Sequence, residues 1–291
     1  MSGAATSPQL DIVFRHHPVH GTWLDRRRFR WPYALSRAFR AEGGPAHMLM
    51  LIVQTVSGAI QAEDRLSQRI HVGAGAAARV VTQGATPIHR AAAGLASRDA
   101  VTLQVEPGGM LEYLPELRIL FPDANLEQHM CVRIAEGAMA LLADGFVLHD
   151  PAAEARPFRR LEATLTVQGP GGTMLAAERI DLAAPPRSRG RRAPFQAHGS
   201  LVLATCRRAV WLEAVSEDAT TALSHHPGLY AAASPLPNNA GVVARIAAID
   251  GRHLRLGLQA ACGVFRRHAR CAPPPEGDRA LDAAAALHAV T

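Results

Sequence analysis

The sequence predicts a mainly β protein with a few short helices, most of them late in the chain. Three observations carry this. In "RLEATLTVQ" (160–168), Leu161, Ala163, Leu165 and Val167 fall on one face and Glu162, Thr164, Thr166 and Gln168 on the other, the pattern of a half-buried strand. A unit of strand, turn and strand recurs through the first two thirds of the chain. Helical patterns are scarce and confined to the last third.

From the N-terminus, strands are expected at 12–15 and 46–53, then at 67–72 and 77–82. Between the last two, Gly73-Ala74-Gly75 reads as a tight turn joining antiparallel strands, glycine admitting the positive φ required. "VTLQV" (101–105), the turn "EPGG" (106–109) and "MLEYL" (110–114) repeat the unit, and strands follow at 130–134 and 139–146. The strand 160–168 turns at "GPGG" (169–172) into a return strand, "TMLAAERIDL" (173–182). Proline, glycine and arginine mark 184–199 as a long exposed loop, with further strands at 201–205 and 242–249. Helices are expected at 216–226, capped by Asp218, and at 253–269. Residues 1–271 read as one β-rich domain and 272–291 as a flexible tail.

The 291 residues, 48% hydrophobic and 19% charged, suffice for a sizeable core. No apolar run approaches the eighteen or so residues that span a bilayer, and the start "MSGAATSPQLDIVFRHH" has no leader pattern, so a cytoplasmic protein without a membrane partner is expected. Cys131, Cys206, Cys262 and Cys271 are scattered without a CxxC pair and read as reduced thiols. All 31 basic residues are arginine, which excludes a P-loop and Schiff-base chemistry on the chain itself. No Gly-x-Ser-x-Gly elbow supports a hydrolase.

Among the fourteen histidines, His16-His17 and His225-His226 are adjacent, diverge from one another and read as solvated turns. "CGVFRRHARC" (262–271) puts His268 between two cysteines, an incomplete ligand set. The net charge of +6 and the arginine clusters at 26–30, 187–192 and 265–270 come without a nucleic-acid recognition motif and read as solvated faces and loops.

"IHVGAGAAARVVTQGATPIHR" (70–90) contains Gly73-x-Gly75-x-x-Ala78, and Asp99 follows at the spacing of a dinucleotide fingerprint. That fold needs a helix starting at the glycines, to set its N-terminus against the pyrophosphate. Val80, Val81 and Thr82 are β-branched, and Gly84 and Pro87 break what would be the helix body. The segment is strand, turn, strand.

The same region, "SGAIQAEDRLSQRIHVGAGAAARVVTQGATPIHRA" (57–91), resembles the signature of the urease accessory protein UreD family, also called UreH. In that family a Gly-Gly-x-x-x-Gly-Asp segment precedes a strand, a Gly-x-Gly-like turn, a second strand and a Thr-Gln-x-Ala-Thr-x-x-Tyr-Arg run. "PGGMLEYLPELRILFPDANLEQHMCVRIAEGAMAL" (107–141) and "LPNNAGVVARIAAIDGRHLRLGLQAAC" (236–262) resemble its later blocks, in the same order. Gly58, Gly73, Gly75, Thr82, Gln83, Arg90 and Pro115 are the matching structural positions. The chain departs from the pattern at Ser57 and Glu63, where the family has glycine, and at His89, where it has tyrosine. A Gly-Arg-x-x-x-Gly-Glu motif expected after Leu148 appears only as "HDPAAEA" (149–155), with Glu154 in place of the glutamate.

The resemblance implies a stacked, solenoid-like β fold and a non-catalytic maturation factor. Such a factor joins a UreF-like scaffold and a UreG-like GTPase on apo-urease so that nickel reaches the active site. The missing lysine agrees, since GTP hydrolysis then belongs to the partner. No cofactor is expected to stay bound, and nickel would be held only in passing. Asp64, His89, Glu112 and Glu154 lie in or beside the family-like motifs and are the candidates for lining a polar passage, with Arg90 the nearest partner by sequence for Glu112. The departures leave an alternative, a divergent β scaffold that binds protein but no longer serves urease.

Overall fold

The computed structural model describes residues 7–152, 156–183, 195–205 and 209–271. The chain opens with β1 (Leu10–His17), β2 (Gly21–Phe29), β3 (Tyr33–Leu35), β4 (Phe39–Arg40) and β5 (Leu49–Thr55). Its middle is β6 (Arg65–Val72), β7 (Ala77–Thr82), β8 (Thr86–Ile88), β9 (Ser97–Val105), β10 (Met110–Leu114), β11 (Arg118–Leu120), β12 (Asn125–Ile134) and β13 (Met139–Leu148). The rest is β14 (Arg160–Gln168), β15 (Met174–Ala183), β16 (Ala197–Thr205), α1 (Ala209–Ser224), β17 (Leu229–Pro235), β18 (Gly241–Ala248) and α2 (Gly251–Cys271).

One sheet has the order β15-β14-β12-β9-β6-β1-β2 and the other β17-β18-β16-β13-β10-β7-β5-β3, with β11 beside β13, β8 beside β11 and β4 beside β5. From β6 to β14 the longer strands alternate between the two sheets, so the chain coils as a solenoid. Its central ladders, such as β6 with β9 and β7 with β10, are parallel, while hairpin partners flank them antiparallel. The mainly β, stacked fold expected from the sequence is therefore present.

The turn at Gly73-Ala74-Gly75 joins strands of different sheets, which corrects the antiparallel pair expected there. The reason lies in the turn itself. A two-residue hairpin favours positive φ at the first central residue, the geometry that matches strand twist. Here only the second central residue has it, Gly75 at φ 65°, and the same holds at Gly108 (65°) and Gly137 (71°). Each turn is closed by a bond to its first carbonyl, from Ala76 to Gly73, Gly109 to Glu106 and Ala138 to Ala135. The three corners stack through Met110 N–H to Ala76 O at 2.9 Å and Met139 N–H to Gly109 O at 3.0 Å. The turn after β14, with Gly171 and Gly172 at positive φ, makes the expected hairpin.

Stacked registers turn alternation into continuous rows. Ile12, Ile70, Leu103, Val132 and Val167 pair in succession across one sheet and are all buried. Facing them are Leu51, Val80, Tyr113 and Leu142 of the other. A fully buried aliphatic side chain contributes about 1.5–3 kcal/mol, so these rows dominate the core.

A second apolar cluster forms where α1 and α2 cover the outer face of the β13-β16-β18 region. Leu212, Val215, Ala219 and Leu223 supply one face of α1, and Leu254, Ala261 and Phe265 one face of α2. Helix α1 starts earlier than expected, and Asp218 is inside it, not its cap: its carboxylate meets His268 Nε2 of α2 at 2.7 Å. The expected loop 184–199 is shorter, because Ala197–Gly199 belong to β16. Residues 184–194, the tail 272–291 and Glu154 lie outside the described residues. Strands β2 and β17 were not expected. One carries the arginine cluster along a sheet edge and the other is mostly alanine, so neither shows a clear alternation.

Candidate functional site

Polar residues interrupt the apolar rows between the sheets at one level. On β9 the inward phase reads Ser97, Asp99, Val101, Leu103 and Val105, so Asp99 points the same way as its apolar neighbours. Beside it across the ladder lies Gln128 of β12. Opposite stand Asp144 of β13 and Arg118 of β11. The Arg118 guanidinium donates from Nη2 to Asp99 Oδ2 at 2.9 Å and from Nη1 to Asp144 Oδ1 at 2.7 Å, and Gln128 Nε2 donates to Asp144 Oδ2 at 3.0 Å.

Arg118 and Asp99 are buried, while Asp144 is partly exposed. Burial by itself would lower the pKa of Arg118, but the charges of Asp144 and Asp99 outweigh it and hold the guanidinium above its ordinary value. Burial, and after it the charge of Asp99, pushes the hydroxyls of Tyr33 and Tyr113 well above theirs. Both therefore stay neutral as hydrogen-bonding groups.

Three spaces meet this layer. A cavity of about 40 Å³ is lined by Tyr33, Gln68, Thr82, Asp99, Pro115 and Arg118, among others. A second, of about 30 Å³, is lined by Gln128, Asp144, Leu165, Glu178 and Ser200. Asp144, Glu178 and Ser200 also line an open cleft of about 680 Å³ between β15 and the β16-β18-β17 edge, with His198, Tyr230 and Arg245. Within it Arg245 pairs with Glu178, and burial lowers the pKa of the His198 imidazole. Arg118 lines the first of these spaces and Asp144 the other two, so their ion pair lies between the small cavity and the cleft. Among the described residues, no group of three or more His, Cys, Asp or Glu converges to hold a metal ion.

The structure separates the residues singled out in the sequence. Thr82 and Pro115 line the small cavity, and Thr82 Oγ1 accepts the Glu116 N–H at 2.8 Å. Asp64 closes a local turn by accepting the Gln61 N–H at 2.8 Å, and His89 donates its backbone N–H to Ile60 at 3.0 Å while its ring lies 5.3 Å from Phe121. Of the two, His89 bonds Ile60, which lines the cavity, and Asp64 bonds the next residue, Gln61. Gly58 ends the turn from Thr55, Gly73 and Gly75 form a solenoid corner, and Gln83 is exposed with its N–H bonded to Val53.

Glu112 faces the other way, under α2. Its partners are Arg79 and Arg266 and not Arg90, which is exposed and bridges Ala124 through its backbone. Arg266 donates from Nε at 2.8 Å and from Nη2 at 2.7 Å. Burial would raise the Glu112 carboxyl, but the hydrogen bonds from Arg266 and Arg79 outweigh it and hold it below the usual range. Sequence reasoning missed the pair that matters most between the sheets. The dinucleotide spacing is not what distinguishes Asp99; its place on the apolar phase of "SRDAVTLQV" is the signal of a buried charge.

His16 and His17 diverge, the His16 ring lying 5.1 Å from that of His47 and the His17 ring 4.7 Å from that of His20, but they are the exposed end of β1 and not the turn expected, whereas His225 and His226 do lie in the turn after α1. Cys262 is buried, and burial pushes its thiol up to about 11.

Comparison with known proteins agrees with the motifs. The profile of the family described as UreD urease accessory protein matches residues 6–279. The chain is 41% identical over 271 residues to Urease accessory protein UreD 2 of Bradyrhizobium sp. strain BTAi1, covering 91% of each chain. It is 37% identical over 265 residues to Urease accessory protein UreD of Mycolicibacterium smegmatis, covering 88% of this chain and 90% of the relative. The chain belongs to the UreD family of urease accessory proteins, and its role is in urease maturation.

Proposed function

We propose that the chain performs this role as a non-catalytic, cytoplasmic component that gives nickel a path between its two sheets, working with a UreF-like scaffold and a UreG-like GTPase on apo-urease. The observation that carries this reading is the line of inward carboxylates, Asp99 and then Asp144, leading from the small cavity to the open cleft beside Glu178 and His198. Nickel suits oxygen and imidazole ligands, and a path of few ligands at each step holds a metal weakly enough to release it. Asp64 and His89, beside Ile60, are proposed contacts at the cavity end of this path. Glu112 is better read as a fastener for α2, both of its oxygens being taken by arginine. Nickel is cargo in this reading and no cofactor stays bound.

The test is co-expression of the cognate urease subunits and other accessory proteins in nickel-containing medium, with and without this chain. Urease activity and urease-bound nickel should both fall when the chain is omitted. If neither changes, the reading fails.

A further inference from the structure

The charges between the sheets do not balance. Arg118 contributes one positive charge and Asp99 and Asp144 one negative charge each, while their neighbour Gln128 is neutral. Asp99 is only 4% exposed, and its Oδ1 has no hydrogen-bond partner. A buried carboxylate oxygen without a donor costs free energy unless a cation or water meets it. That residue lines the cavity of about 40 Å³, and a water needs about 10–15 Å³ of such space, so there is room for an ion with part of its hydration. The Tyr33 hydroxyl also lines the cavity and makes no hydrogen bond of normal geometry, although Gln68 lies close. Neither histidine nor cysteine is among the lining residues, so the donors are all oxygens.

We propose that this cavity is a holding position for one divalent cation, taken through Asp99 Oδ1 with water completing its shell, and that Arg118 closes it from the cleft. The excess negative charge attracts the ion. Glu116 also lines the cavity but is paired with Arg255, so Asp99 is the one lining carboxylate with an unpartnered buried oxygen, and a site of that oxygen with neutral oxygens binds weakly and exchanges readily, as a metal in passage requires. Arg118 cannot lose its proton, so it occupies the position between Asp99 and Asp144 as a permanent cation that the metal must displace to move on. The site is argued from the unpartnered oxygen and the charge count; its use for nickel rests on the path proposed above.

The chain has three tyrosines, two of which, Tyr33 and Tyr113, line this cavity while Tyr230 lines the cleft. The full chain, labelled with ¹³C-tyrosine and assigned through single Tyr→Phe variants, would be titrated with Ni²⁺ and followed by NMR. Paramagnetic broadening should strike Tyr33 and Tyr113 first and spare Tyr230. Asp99→Asn, which keeps an oxygen for Arg118, should weaken this effect by about tenfold or more. Tyr33→Phe removes only a hydroxyl and should weaken it less, with Tyr113 still reporting. Thermal melts verify that the variants are folded. Broadening confined to Tyr230, broadening of none of the three, or an unchanged response in Asp99→Asn would overturn the holding position. If urease activation nevertheless depends on the chain, the proposed function survives that result. If the broadening is found and activation is independent of the chain, the site stands and the nickel role falls.

Discussion

Two buried ion clusters sit on opposite faces of the same sheet with opposite balances of charge. Under α2, one carboxylate, Glu112, is held between two guanidinia, Arg79 and Arg266. Between the sheets, one guanidinium, Arg118, is held between two carboxylates, Asp99 and Asp144. The first uses both oxygens of its carboxylate and ties a helix to a strand. The second leaves an oxygen of Asp99 unused beside a cavity. The same residue types thus make a fastener in one place and, in the proposal above, a place for a cation in the other, and the difference lies in which sign is in excess and whether space adjoins it.

The sharpest way to break the contrast is Arg118→Met. It leaves two carboxylates facing each other with no cation, one of them fully enclosed, and should cost about 3–5 kcal/mol in chemical denaturation. Arg266→Met should cost less, about 2 kcal/mol, because Arg79 still meets Glu112. A smaller loss from Arg118→Met than from Arg266→Met would reverse the ranking on which the comparison rests.

Acid separates the clusters further. The Glu112 carboxyl is held below its ordinary value of 4.5 in the folded chain, so its contribution is fully present above about pH 4.5 and is lost as pH falls through the folded-state value. Wild type should exceed Glu112→Gln in stability by about 1–2 kcal/mol at pH 7, with the gap narrowing on acidification below pH 4.5. A gap that stays constant across that range in urea titrations would mean that the arginines do not hold this carboxylate in the ionised form. The smallest expected effect is at a corner. Gly75 has φ 65°, and a Cβ there would lie 3.6 Å from the His16 ring, which is ordinary contact. Gly75→Ala should therefore cost only the backbone term, about 1 kcal/mol, read as a modest fall in Tm.

Much of the fold was legible, and for a definite reason. Alternation reports which face of a strand is buried, and so β14, β7 and β10 have the limits the sequence predicts, while β9 begins four residues before the expected 101–105. It does not report which strand lies alongside, so by alternation alone the corner at Gly75 looks the same as a hairpin. The Pro107-Gly108 dipeptide of the next corner held the needed signal, since proline cannot take the positive φ a hairpin favours at that position. The site was legible in fragments. Asp99 on an apolar phase and Arg118 among Leu117, Ile119 and Leu120 each announce a buried charge, but only the coiling of the solenoid brings them together across 19 positions of sequence. Glu112 was recognised as needing a partner, and its partners lie on β7 and α2, 33 and 154 positions away, beyond the reach of any local pattern.

One substitution bears on the path itself. Asp144 borders both the cleft and the cavity of about 30 Å³ beside it, and Asp144→Asn removes its charge while keeping an oxygen for Arg118. In cells carrying apo-urease and the other accessory proteins, this variant should still co-purify with its partners, yet urease should contain less nickel and show a matching loss of activity. Full nickel content and activity with Asp144→Asn would contradict a route between the sheets.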